Sequence, residues 1–236
     1  MMEAAEFRKT MEKALHGRLG REHAIVAELE KPPGNLPLLR MFALQGYQLT
    51  KNFARYVGGL YHHCPIEKYR IRLAINLYEE ETGKLSKSDN HLRLMQKFLR
   101  ALGISEEQME TARAFPATQE LIDWRWQLVN DRASFHRAAA AIAIASEGQN
   151  LEQKAGKATK DLLPGIYGLS AKDLQFFTVH ATEDVYHVRD GLHIVAGVCD
   201  SQQMQDEALQ AIHDTCDRFE WYFDGVLQIY QEGIAA

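Results

Sequence analysis

The sequence predicts an all-α protein, a bundle of seven or more helices, on three observations. Apolar residues recur at spacings of three and four over long stretches. Glycine and proline gather at a few places that divide those stretches: Pro32-Pro33-Gly34, Pro65, Gly83, Gly103, Pro116, Gly148, Pro164-Gly165 and Gly168. The Val/Ile/Thr-rich runs between them are too short to make strands.

Taken in order, the first helix is expected over about residues 3–30 and a second from Pro37 to Tyr61. In the second, Leu38, Leu39, Phe42, Ala43, Tyr47, Phe53 and Tyr56 form one apolar face. A third, over 66–82, follows Pro65, a residue suited to a first turn. A fourth opens near the capping residues Ser88–Asp89 and stops at Gly103. The tetrapeptide SEEQ at Ser105 is a capping-box pattern that starts a short helix. Further helices are expected over 117–130, 133–147, 170–198 and 202–232. No repeat, low-complexity linker or shift in composition divides the chain, so residues 1–236 read as one domain.

Composition narrows the function classes. The net charge is −5, and no Lys/Arg-rich run offers a nucleic-acid surface. No apolar stretch approaches the roughly 20 residues that cross a bilayer, and the N-terminal MMEAAEFRKTMEKAL lacks the apolar block of a signal peptide. Cys64, Cys199 and Cys216 are widely spaced, without a CxxC pair, which fits reduced thiols in a cytoplasmic protein.

The most informative segment is FFTVHATEDVYHVRDG, ending at Gly191. At about 100° per residue, Asp184 points roughly 40° and His187 roughly 20° away from His180. Three metal-competent side chains thus leave one stripe of an apolar helix, a costly arrangement unless they are paired or bound. Glu183 lies on the other side, roughly 60° from His180, and is the alternative inward acid. Other stretches supply partners: Glu79-Glu80-Glu81, His91, and Glu147 at the end of AAAAIAIAS. Mixed nitrogen and oxygen donors favour iron or manganese, with zinc open. Read singly, each has a plainer explanation: a solvated i, i+3 pair, a surface histidine at a helix start, an exposed acidic run. Of the three glutamates, at most one is expected to face inward. Adjacent His62 and His63 diverge by about 100° and make a poor joint ligand. Tyr47, Tyr56, Tyr167, Phe176, Phe177 and Tyr186 either line a substrate cavity or belong to the core. Lys154, Lys157 and Lys160 read as a solvated stretch or as a carboxylate-binding group.

The blocks INLYEEETG and NHLRLMQKFLRALGI resemble the signature of the TENA/pyrroloquinoline-quinone-synthase-like family. Glu147 and His180-x3-Asp184-x2-His187 resemble its haem-oxygenase-like di-iron oxidase and oxygenase branch, to which the chlamydial death-domain-associating protein belongs. The resemblance spans about residues 40–195. It implies a haem-oxygenase-like bundle of about seven helices, a homodimer, and an iron-dependent oxidoreductase that uses O2 on a small-molecule substrate. Two iron ions, or manganese or a mixed Fe/Mn pair, would be held by Glu80, His91, Glu147, His180, Asp184 and His187. Thr82–Asp89 is longer than the family's usual spacing, so Glu79 and Glu81 compete with Glu80 for the first place. A cofactor-free oxidase similar to pyrroloquinoline-quinone synthase would not need this inward cluster. A thiaminase-like enzyme lacks its cysteine here, since none lies between Cys64 and Cys199. A haem protein would call on His16 or His23, and a non-catalytic interaction module would carry a vestigial site.

Overall fold

The computed structural model describes residues 1–19, 23–150 and 159–233. Among them every regular element is helical: α1 Ala4–His16, α2 Ala24–Glu30, α3 Leu36–Thr50, α4 Phe53–His63, α5 Glu67–Thr82, α6 His91–Ala101, α7 Glu106–Thr111, α8 Pro116–Asn130, α9 Phe135–Ala139, α10 Thr159–Tyr167, α11 Gln175–Val198 and α12 Gln202–Gln231. Helix α9 runs on as a π-helical segment, Ala140–Ser146, and then a 3₁₀ turn, Glu147–Asn150.

These are more segments than the seven or so expected, because the longest expected helices are broken. The first stops at His16, before Gly17, and resumes at Ala24, where the His23 side chain accepts from the Ile25 amide. The second breaks at Lys51–Asn52. There Thr50 Oγ1 donates to the Gly46 carbonyl and Asn52 Nδ2 to the Gln48 carbonyl, a back-bonding that competes with helix continuation. Helix α11 starts at Gln175 rather than 170, after a turn in which the Asp173 carboxylate accepts from the Ser170 amide and hydroxyl. Helix α10 was not expected at all: Pro164-Gly165 reads as a break, yet Pro164 lies inside it. Elsewhere the capping box at Ser105 forms with both reciprocal bonds, while the cap of α6 is Asn90 and not Ser88 or Asp89.

Two apolar cores meet within the bundle. One gathers Phe7, Met11, Leu15, Tyr56, Leu60, the alanines and isoleucines of 138–145, and Val188, Leu192 and Val195. The other gathers Leu38, Tyr47, Leu94, Phe98, Leu121, Phe176, Val179 and Tyr222. Helices α11 and α12 run through both. The His180–His187 stripe of α11 therefore falls where the cores join, between Val179 and Val188. No helix among the described residues is long and apolar enough to cross a membrane.

Candidate metal centre

Four elements deliver the polar side chains to that junction. Helix α5 ends in Gly83, left-handed at φ 61°, where a Cβ would lie 2.2 Å from the Asp89 carbonyl oxygen. The tight 83–90 loop closes on Glu79, whose carboxylate accepts from the Leu85 amide at 2.7 Å and the Ser86 amide at 3.2 Å. Asn90 then caps α6 and donates to the Glu81 carbonyl at 2.9 Å, which places His91 at the first helical position, 1% exposed. Two of the three glutamates are buried, not one: Glu79 at 1% and Glu80 at 4%, with Glu81 exposed. Their surroundings differ: Glu79 accepts from the loop amides and has one oxygen 3.5 Å from His91 Nε2, while Glu80 lies 3.1 Å from His91 Nδ1 and belongs to both groups of candidate ligand atoms. Glu79→Gln is expected to lower stability by about 1–2 kcal/mol, the scale of a weakened buried hydrogen-bonded carboxylate, while iron retention is unchanged. Urea denaturation and elemental analysis check the two halves.

The π segment brings Glu147 inward. Its wider turn, with Ser146 Oγ donating to the Ala141 carbonyl at 2.8 Å, re-aims the residue that follows an otherwise apolar run. Asn76 Nδ2 donates to Glu147 Oε1 at 3.0 Å. On α11, Asp184 is fully buried, His180 is 6% exposed and the His187 side chain 10%, whereas Glu183 is only half-buried. His180 Nδ1–H donates to the Phe176 carbonyl at 2.7 Å, which fixes the tautomer and leaves Nε2 as a lone-pair donor.

All six sequence-predicted residues converge. Glu80, His91 and His180 offer ligand atoms within 4.8 Å of one another, and so do Glu80, Glu147 and His187. Glu80 belongs to both groups. The His91 and His180 rings lie 4.6 Å apart, tilted at 59°, and Glu147 Oε1 lies 3.3 Å from His187 Nδ1. Asp184 Oδ1 is 3.7 Å from the same nitrogen.

The residues fit a metal on a specific observation. Buried polar atoms normally find hydrogen-bond partners. Here Glu80 Oε1, both ring nitrogens of His91, both carboxylate oxygens of Asp184 and His187 Nδ1 have none, although Glu80 Oε1 and His91 Nδ1 lie 3.1 Å apart. Titration follows from the same crowding. Burial pushes the Asp184 carboxyl up to about 6 against the pull of His180 and His187. Burial disfavours the His187 imidazolium, but the Glu147 and Asp184 carboxylates outweigh it and raise the group to about 11. His91 rises too, because Glu80 overcomes the same desolvation. Protons thus occupy part of the space that cations would fill.

Other expectations resolve differently. Tyr186 is 51% exposed and so belongs to neither core. Tyr167 is spent on structure, donating to the Leu29 carbonyl and accepting from the Asn35 amide. His62 and His63 line a separate cavity of about 390 Å³ with Arg70, Arg132 and His136, and none of the six residues lines it. Lys154 and Lys157, and the Lys160 side chain, fall outside the described residues. Sequence reasoning missed Glu79 as a loop anchor, Asn76 beside Glu147, and the buried Arg125. The only signals for them were one more glutamate in an acidic run, an asparagine on an apolar face, and an arginine between two tryptophans.

The architecture matches solved structures with a haem-oxygenase-like fold. A TenA homologue from Pseudomonas syringae pv. tomato superposes with a TM-score of 0.77 at 20% identity, covering 96% of each chain. A CADD-like protein from Nostoc punctiforme gives 0.71 at 15% identity, over 98% of this chain and 99% of its own. At these identities the likeness establishes the fold. Residues 40–220 match the family of iron-containing redox enzymes, and the chain belongs to that family. It is homologous to 4-aminobenzoate synthases. The Nitrosomonas europaea protein of that name is 32% identical over 157 residues, 66% of this chain and 60% of that protein. The Chlamydia muridarum protein is 24% identical over 209 residues, 88% of this chain and 84% of that protein.

Proposed function

We propose that this iron-containing redox enzyme is an O2-activating oxidase or oxygenase of a small organic substrate. In this reading two iron ions are held by Glu80, His91, Glu147, His180, Asp184 and His187. The observation that carries it is the pair of buried ligand groups sharing Glu80, in which Glu80 Oε1, both His91 ring nitrogens and His187 Nδ1 have no hydrogen-bond partner. Bound iron supplies the electrons that reduce O2 and the oxidising power applied to the substrate. The chain's own residues do the rest. The Phe176 carbonyl holds His180 in the ligating tautomer, and Asn76 fixes the rotamer of Glu147. Phe176, 4.1 Å from the His180 ring, and Phe177 against Phe98 keep that side dry. Three carboxylates balance most of the charge of two divalent ions.

The test is iron content by elemental analysis after anaerobic Fe(II) loading and desalting. Close to two irons per chain, followed by a transient visible absorption on exposure to O2, is expected. Because His187, raised to about 11, holds a proton that a metal must displace, loading at pH 7 is expected to release at least one proton per chain, read with an indicator dye. The names of the relatives make 4-aminobenzoate formation the first activity to assay. Protein that retains no iron would turn the reading to a cofactor-free oxidase or a non-catalytic module.

A further inference from the structure

The cavity of about 390 Å³ apart from the metal centre forms where several elements begin or end. Helix α4 closes on it with His62 and His63, and α5 contributes Arg70. The 3₁₀ turn Arg132–Ser134 contributes Arg132, and α9 contributes His136. These five lining side chains are basic and none of the lining is acidic, in a chain whose net charge is −5.

The fold does not neutralise the two arginines. Among the described residues the ion pairs of arginine fall on Arg18, Arg72, Arg93, Arg100 and Arg218, not on Arg70 or Arg132. Arg70 donates to the Cys64 carbonyl at 3.1 Å, a neutral partner. Asp131, next to Arg132 in sequence, is spent on the turn itself, accepting from the Ala133 amide and the Ser134 hydroxyl. Glu207 lies 2.7 Å from His136 Nε2 and also accepts from Gln203, but it does not line the cavity. That pairing fixes the orientation of His136, which is 4% exposed. Concave walls of low dielectric focus the field of such a cluster on a small anion. The rest of the lining is apolar, with Phe135, Val198 and Met204 as its larger side chains.

We propose that this cavity binds a small organic phosphate. Two permanent guanidinium charges balance the dianion of a phosphate monoester, and their planar forks match its oxygens bidentately. The apolar lining receives the carbon body of the same molecule. None of the six candidate metal ligands lines the cavity, so the proposal stands apart from the di-iron reading.

Isothermal titration of the full chain, iron-loaded and metal-free, with phenyl phosphate at about pH 8 tests it, because the monoester is then a dianion. Inorganic phosphate lacks the carbon body, and benzenesulfonate has a similar shape with a single charge. Wild type is expected to bind phenyl phosphate at least about tenfold more tightly than either control. Arg132→Gln removes a permanent cation that is exposed and forms no ion pair, and is expected to weaken binding at least about tenfold. Ala133→Asp sets a carboxylate in the lining and is expected to abolish saturable binding. Absence of saturable binding to wild type at millimolar concentration overturns the proposal, and so does benzenesulfonate or inorganic phosphate binding equally well. Undiminished binding in Arg132→Gln also overturns it, since the phosphate is then held elsewhere, the metal centre included. Should either variant fail to fold, the other and the wild-type preference for phenyl phosphate over its controls decide.

Discussion

Glu80→Ala is expected to leave the chain without retained iron, whereas His91→Ala and His187→Ala each lower iron content by about half. Glu80 is the one residue common to both ligand groups, so its loss removes a donor from both. His91 and His187 each belong to a single group. In the metal-free protein Glu80 faces the buried His91 imidazole at 3.1 Å, so its removal also leaves that ring without its carboxylate and lowers apo stability. A carboxylate that served the fold alone would lower apo stability in the same way but leave iron retained. Iron at a hundredfold excess over its dissociation constant stabilises by about 2.7 kcal/mol. For a chain of this size that raises the melting temperature by about 5–11 °C. This increment should vanish in Glu80→Ala. Differential scanning calorimetry with and without Fe(II), beside elemental analysis, reads both effects. Iron loss in Glu79→Gln with full retention in Glu80→Ala would shift the ligand register by one residue.

How much of this candidate centre was legible follows from how each candidate ligand is held. His180, Asp184 and His187 share one helix, so helical geometry alone places them on one stripe, and Asp184 rather than Glu183 turns inward as the angles predict. The capping box at Ser105 is equally local, and it forms. Glu80 and His91 are different. Their meeting depends on the 83–90 loop folding around the Glu79 carboxylate, and no periodicity in an EEE run distinguishes a loop anchor from a ligand. Glu147 follows AAAAIAIAS, a run apolar on every face and therefore without a period to read. The π geometry that aims it inward arises from packing against α11 and α12, not from local preference. The breaks at Gly17 and Lys51–Asn52 were likewise hidden, because the apolar spacing carries on across each of them. Arg125 lies in WRW, where an arginine between large rings reads as a surface residue; only the tertiary packing of α4, α8 and α12 encloses it.

Gly191→Ala is expected to damage the fold and the metal centre together, because Gly191 sets the distance between the two elements that hold Glu147 and His187. It lies one turn beyond His187 on the same face of α11. A Cβ there would fall 2.3 Å from the Ala143 carbonyl oxygen, 2.8 Å from its carbon and 3.0 Å from Ala143 Cβ. The obstacle is backbone of the π segment and not the end of a flexible side chain, so the two elements must move apart. Overpacking of this kind costs about 1–3 kcal/mol, outweighing the gain in helix propensity of at most about 1 kcal/mol for replacing glycine by alanine. The expected result is a melting temperature lowered by a few degrees in metal-free protein. The displacement also separates Glu147 from His187, now 3.3 Å apart, so iron retention should fall. Gly165→Ala is the matched control, since a Cβ there meets nothing within 4 Å. Equal behaviour of the two variants would show that close approach at Gly191 does not set the geometry of the centre. A Gly191→Ala protein that is stable yet depleted of iron would mean that the contact acts on ligand spacing alone.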